Sequence, residues 1–267
     1  MIKLTLFKFN YWLILLIFFL CGNLFASKWI YQADILNAQT TNKDEIKELS
    51  GNVIISKDDI ILQTNRAVLY SKNDQLELFG DIVMIDREDT LRCDTLFYFS
   101  SNSEYFIASG NVSLKSKAQS LYSDSLYYWS NIDSVYASGR VRLNDGISSI
   151  HSNSINYWLS NGYYGYSFTA QDDVIIKNNN NEMKGSQIIY TDSTQHMRII
   201  DKASIVNENQ RLIGDEILIQ FKDSILNTID INGNPIAYNN INAKASSDSS
   251  LTNYQDIMHG NIMQLKY

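Results

Sequence analysis

Gly51, Gly80, Gly110 and Gly139 follow one another at intervals of 29, 30 and 29 residues, and each opens a similar segment: GNVII, GDIVM, GNVSL and GRVRL. A period near 30 residues restricts the chain to repeated supersecondary units, each too small to bury its apolar face without its neighbours. With the glycine replaced, the register extends to Asp172 (DDVII) and Lys202 (KASIV), and the glycine returns at Gly233 (GNPIA). Seven copies then account for most of the 267 residues.

Around each register position the residues at minus 4, minus 2, plus 2 and plus 4 are mostly apolar, while those between vary freely. The plus 2 column reads Val53, Ile82, Val112, Val141, Val174, Ser204 and Pro235, and the minus 2 column reads Leu49, Leu78, Ala108, Ala137, Ala170, Ile200 and Ile231. A period of two marks a strand with one buried face. A glycine in mid-strand packs nothing and weakens the ladder, so its recurrence implies a bend or a close backbone approach. The expectation is a crease repeated from strand to strand, softened in copies five and six where the glycine is lost.

A second strand in each copy is marked by Tyr70, Tyr98, Tyr128, Tyr157, Tyr190 and Ile219. Two residues earlier stand Val68, Leu96, Leu126, Ile155, Ile188 and Ile217, and four earlier stand Arg66, Asp94, Asp124, Asn153, Ser186 and Asp215. Clusters such as Lys57-Asp58-Asp59, Ser71 to Asp74, Arg87-Glu88-Asp89, Ser100 to Ser103, Ser130 to Asp133 and Asn144-Asp145-Gly146 have hairpin-turn composition. The pattern therefore predicts an all-β, antiparallel meander with two strands per copy. One proline in the whole chain agrees with near-continuous backbone pairing.

Residues 1–26 stand apart. Lys3 and Lys8 precede an apolar run from Tyr11 to Leu20, and Ala26 offers a small residue before Ser27, the three-part layout of a secretory signal peptide. The uncharged stretch 9–27 reads alternatively as an uncleaved anchor in the inner membrane. Residues 27–267 form the β domain, interrupted by Pro235 and by a flexible excursion over 239–253. Ile257 to Tyr267 restarts a strand without a return, leaving an unpaired edge. The formal charge of −7, made more acidic by removal of the leader, argues against nucleic acid as a partner. Cys93 is the single cysteine beyond the leader, so no intramolecular disulfide is expected.

Enzyme chemistry leaves no trace in the pattern. His151, His196 and His259 are scattered, and no metal-ligand spacing, nucleophile elbow or phosphate loop occurs. Cys93 reads as a small strand residue. Asp94, Asp124 and Asp215 recur once per copy, which suits a turn-side cap or polar rim better than a carboxylate cluster, and Asn178 to Asn181 with Glu182 reads as a solvated turn. If the sheet folds lengthwise at the crease, its apolar face either interdigitates as a closed core or stays splayed as a trough for hydrocarbon chains.

The series G-[ND]-[VI]-x-[ILM] followed by [DN]-x-[LI]-x-Y resembles the OstA-like (organic solvent tolerance) family, from about Trp29 to the chain end. That family includes periplasmic bridge proteins of lipopolysaccharide transport in Gram-negative bacteria. The resemblance implies a V-shaped β-jellyroll, or β-taco, without enzymatic activity or cofactor. Its interior would shield the acyl chains of lipopolysaccharide on their way to the outer membrane, with the polar head at the mouth beside Asp94 and Asp124. The implied lining is Val53, Ile55, Leu76, Leu78, Ile82, Met84, Phe106, Val112, Leu114, Val135, Val141, Leu143, Phe168, Val174 and Ile176, with Leu96, Leu126, Ile155 and Ile188 on the facing strands. The implied partners are other bridge or translocon proteins joined by edge-strand addition, or further copies of the chain head to tail. The alternative from the residues alone is an exported structural or adhesive β-repeat protein with a filled core and no lipid ligand.

Overall fold

The computed structural model describes residues 29–40, 45–99, 105–116, 119–129, 134–159, 166–178, 180–223, 225–244 and 251–266. The leader, the turns at 100–103 and 130–133, and residues 245–250 lie outside them. All described secondary structure is β. In chain order the strands are β1 (Ile30–Gln32), β2 (Ile35–Thr40), β3 (Glu45–Lys57), β4 (Ile60–Tyr70), β5 (Gln75–Asp86) and β6 (Asp89–Phe99). They continue as β7 (Tyr105–Ser116), β8 (Gln119–Trp129), β9 (Ser134–Asn144), β10 (Ser148–Leu159), β11 (Tyr166–Asn178) and β12 (Asn181–Thr191). The last six are β13 (His196–Asn207), β14 (Gln210–Lys222), β15 (Ile225–Asn232), β16 (Ile236–Lys244), β17 (Leu251–His259) and β18 (Ile262–Lys266).

The chain divides into two compact units. The N-terminal unit falls within residues 11–146 and 154–161, the C-terminal unit within 147–153 and 162–267. In the first, each strand from β3 to β9 pairs antiparallel with the next, and β1 and β2 both pair with β3. In the second, β11 to β14 form the same meander. The chain then runs as β15 and β16 against β14, and returns as β17 against β16 and β18 against β15. The stretch expected to be a flexible excursion is therefore strand on both sides, with Asn239 paired to Asp256 and Lys244 to Leu251.

The crease is a β-bulge. Ser50 pairs with Arg66 and Val53 with Thr64, so Gly51 and Asn52 stand opposite one residue, Asn65. Both bulged residues have positive φ, and the same doublet recurs at Gly80–Asp81, Gly110–Asn111, Gly139–Arg140, Asp172–Asp173, Asp201–Lys202 and Gly233–Asn234. An extra residue of this kind bends the strand and sharpens its twist. The loss of glycine in copies five and six does not soften the crease: Gln171 to Val174 and Ile200 to Ala203 show the same register shift as the glycine copies. Aspartate tolerates the left-handed region better than most residues, which is why it can replace glycine there.

These doublets correct two registers. In copy six the bulge begins at Asp201, one residue before the expected Lys202, so Met197, Ile199, Ala203 and Ile205 are the buried residues. In β4 the inward residues after the bulge are Ala67 and Leu69, while Arg66 and Tyr70 face outward with Val68 beside them. The expected column of Arg66, Val68 and Tyr70 is thus shifted by one, and Asn65 takes the polar position.

The polar column itself is not a rim. Asn65, Asp94, Asp124, Ser186 and Asp215 lie mid-strand on the outer side of the crease, over the next strand's bulge, and Asp34, between β1 and β2, takes the same place over the first. Asp34 accepts from Asn52 Nδ2 at 2.8 Å, Asp94 from Asn111 Nδ2 at 2.9 Å and Asp215 from Asn234 Nδ2 at 3.4 Å. Arg140 Nη2 donates to Asp124 Oδ1 at 2.5 Å, and in copy two the direction reverses, Asn65 Nδ2 donating to Asp81 Oδ2 at 3.2 Å. In copy six Ser186 Oγ donates to Asp201 Oδ2 at 3.4 Å. At Gly110 and Gly139 two conditions coincide, φ of 78° and 77° and a facing carboxylate so close that a methyl group would overlap it.

Replacing Gly110 by alanine should therefore lower unfolding free energy by about 1–3 kcal/mol, as expected for a strained left-handed residue. In a urea-unfolding double-mutant cycle, Gly110→Ala with Asp94→Ala should be less destabilised than the sum of the singles, because the overlap is relieved while the φ strain remains. Strict additivity would show that Asp94 plays no part in the glycine requirement.

Candidate functional site

The inward face is built from both halves of every strand. Before the bulge it presents Leu76 and Leu78, Phe106 and Ala108, or Phe168 and Ala170; after it, Ile82 and Met84, or Val174 and Ile176, all with at most 4% of their surface exposed. Such a face reaches near-zero exposure only when another layer covers it. In the N-terminal unit ring contacts show what the cover is. Trp29, which precedes β1 and stands beside the end of β3 (Ile30 pairs with Ser56), meets Tyr98 edge-on at 5.5 Å. Tyr98 belongs to the other half of β6, paired with Leu76 and Phe106, so the contact crosses the crease and the two halves face each other.

At the inner side of the crease there is little room. The residues preceding the polar column are Thr64, Cys93, Ser123, Ser152, Gly185 and Gly214, all small. A methyl group at Gly214 would overlap Ile231 Cγ2 closely. The hydroxyls placed here are satisfied by nearby backbone: Thr64 Oγ1 donates to the carbonyls of Phe79 and Gly80 at the bulge, at 2.9 and 3.1 Å, and Ser123 Oγ to the carbonyl of Ser125 on its own strand at 3.0 Å. Interior polarity is thereby confined to the fold line and to the strand ends, where Asp86, Asp89 and Ser116 are buried. Burial raises the Asp86 carboxyl above the usual range, opposed by Arg87 and reinforced by Asp89 and Asp59.

The expected lining residues share this inward face. Val53, Ile55, Leu76, Leu78, Ile82, Met84, Leu96, Phe106, Val112, Leu126, Val141 and Ile155 are buried within the N-terminal unit, and Phe168, Val174, Ile176 and Ile188 within the C-terminal one. Leu114, Val135 and Leu143 are half-buried, all three on β7 and β9. Leu62 and Leu91 in the N-terminal unit, and Met183 in the C-terminal one, are buried inward residues outside the expected lining and columns. They stand in period-two alternation with the residues on either side, which was the available signal. Aromatic pairs Phe106–Tyr128 at 5.4 Å and Phe168–Tyr190 at 6.0 Å close the ends of the pre-bulge halves. Among the described residues no three metal-ligating side chains come together.

At both ends of the strand series apolar side chains are uncovered. Ile30, Ile35 and Leu36 on β1 and β2 are 71%, 57% and 49% exposed, and Ile257, Met258 and Ile262 on β17 and β18 are 50%, 47% and 72% exposed.

The sequence profile of the family described as OstA-like protein matches the chain twice, over residues 27–129 and 94–218. The chain belongs to the OstA-like family. Overlapping matches are what a shared 30-residue repeat produces. Among solved structures, the chain is similar to LptH of Pseudomonas aeruginosa, described as the LptA homologous periplasmic component of the lipopolysaccharide transport device. Identity is 12%, with 86% of this chain and 94% of that one covered and a TM-score of 0.17. No curated protein matches.

Cys93 offers a probe of the interior. It is 4% exposed, and burial pushes its thiol up to about 12, with Asp94 adding to the shift and the backbone at Ser109 opposing it. Since the thiolate is the reactive form, Cys93 should react with a disulfide reagent at pH 8 only as fast as the interior opens, and at once in urea. Rapid labelling of the folded protein would show that the inward face at β6 is solvated.

Proposed function

We propose that the protein is a non-enzymatic periplasmic carrier, a bridge component of lipopolysaccharide transport that holds acyl chains between the two halves of its creased sheet. The observation that carries this reading is the inward face itself: apolar on both sides of the crease, repeated along the chain, with its polar groups confined to small residues at the fold line and to positions near the strand ends. Each methylene transferred from water to such a surface is stabilised by about 0.8 kcal/mol, so a multi-acyl lipid would be held by area, without any specific polar contact. Membership of the OstA-like family supports the same reading. The leader, cleaved or retained as an anchor, would deliver the domain to the periplasm.

A second reading, an exported structural repeat protein with a filled core, is favoured by the near-zero exposure of Leu49, Ile55, Leu78 and Leu96. Leu114 separates the two, because it is half-buried and an arginine there can reach water along its own stem. The chain expressed in a Gram-negative periplasm should co-purify with multi-acyl lipid detectable by mass spectrometry. Leu114→Arg should remain folded and lose most of it. Lipid-free wild-type protein would favour the structural reading.

The uncovered apolar edges at β2 and β17 support strand addition as the means of joining to a neighbour. If the neighbour is another copy, Leu36→Cys and Met258→Cys placed in one chain should yield a disulfide-linked ladder on mild oxidation, while each single variant should not. A lone monomer band from the double variant would remove self-association from the scheme.

A further inference from the structure

The short strand β1 does more than begin the sheet. Trp29 reaches Tyr98 across the crease, and Tyr31 makes a second crossing. Its partner in the ladder is Ile55, after the bulge, yet Lys47, before the bulge on the same β3, lies over its ring with Nζ 5.5 Å from the centroid. Lys57 Nζ lies over the Trp29 ring at 5.3 Å. Lys47 and Lys57 are the only cations at the described inward positions of β3 to β9; the corresponding sites in copy two are Leu76 and Asp86, and in copy three Phe106 and Ser116. Two aromatic rings therefore fill the gap between the halves at the first repeat, each with an ammonium group against its face.

Little holds them there. The β1 ladder is three residues long, pairs with β3 alone among the described residues, and leaves Ile30 71% exposed. Trp29 is half-buried, whereas the Tyr98 it covers is 1% exposed. An exposed cation–aromatic pair is a weak contact, so what an acyl chain has to displace is that pair, a three-residue ladder and one edge-on ring contact.

We propose that the first repeat is a loading point for an anionic amphiphile: its chain displaces Trp29 from Tyr98, and its phosphate pairs with Lys57, freed from the indole. The proposal rests on the carrier reading and assigns it a place and a polarity. Trp29 and Tyr31 act as a self-ligand, occupying the mouth until a chain replaces them. The head group would meet Lys57 among the described inward positions of β3 to β9, with Lys47 already paired to Glu45 at 3.1 Å and the buried Asp86 and Asp89 marking the next hairpin as the unfavourable side.

The test uses the full mature chain, dodecyl phosphate below its micelle concentration and dodecyl maltoside as the uncharged control. Trp29→Ala should speed Cys93 labelling about ten-fold and tighten dodecyl phosphate binding by a similar factor, since a competing internal occupant is removed. Lys57→Gln should weaken dodecyl phosphate about three-fold, the scale of one exposed ion pair, and leave dodecyl maltoside unchanged. Unchanged labelling and affinity in Trp29→Ala would overturn the proposal, as would faster labelling that merely follows a lowered urea midpoint. If wild-type protein still retains multi-acyl lipid in that case, the carrier reading survives and only the loading point is wrong. If neither dodecyl compound binds any variant, the proposal and the carrier reading fall together.

Discussion

Everything in this molecule follows from a pair of adjacent residues held at positive φ and covered by a polar side chain from the neighbouring strand. The doublet bends one strand, and because it recurs in register, the bends align into a line along which the sheet of each unit turns. Asn, Asp, Arg and Ser at these places satisfy one another on the outer side. The inner side carries small residues, whose hydroxyls bond to nearby backbone, that of Thr64 to the Gly80 carbonyl of the bulge. The cost of strained backbone is thus met locally, and apolar surface on either side of the line becomes available to face its counterpart.

This division of labour explains an acidic chain with an apolar interior. Charge is spent outside the crease and at turns, where water screens it. The ion pairs Arg87–Asp59, Arg140–Asp124 and Arg198–Glu216 are exposed or half-exposed, and such pairs add little stability. Cohesion comes from the inward aliphatic and aromatic side chains, each stabilising the fold by about 1.5–3 kcal/mol when fully buried. An anionic ligand would find a repelling exterior and the two lysines at the mouth of the first repeat.

Much of the fold was legible because glycine and period-two alternation report directly on backbone geometry. Gly51, Gly80, Gly110 and Gly139 marked the bend, and hairpins such as Lys57 to Ile60 and Asp86 to Asp89 fell where turn composition placed them. Where glycine was missing the register slipped: Asp201 and Lys202 both satisfy the alternation nearly as well, and only the doublet of positive φ decides between them. In β4 the prominent Tyr70 misled, since an aromatic residue sits as comfortably on the outer face of a sheet as on the inner one. The role of Asp94 and Asp124 was illegible for a different reason. Their partners, Asn111 and Arg140, lie 17 and 16 residues away in the chain and meet them only across a ladder. The crossings of Trp29 and Tyr31 are equally hidden, as they depend on the closure of two halves that sequence describes one strand at a time.

Each repeat carries its own bulge and its own hairpins, and its ladders pair only with the strands beside it, while Trp29 reaches further, to Tyr98 on β6. A duplication or deletion of one copy away from the Trp29–Tyr98 crossing would therefore keep the ladder pattern of the remaining copies while changing the length of the apolar face by two strand spacings, roughly 10 Å. The chain is in this sense a ruler whose graduations can be added or removed singly, so a lineage could match its reach to the distance that must be crossed without redesigning the interior.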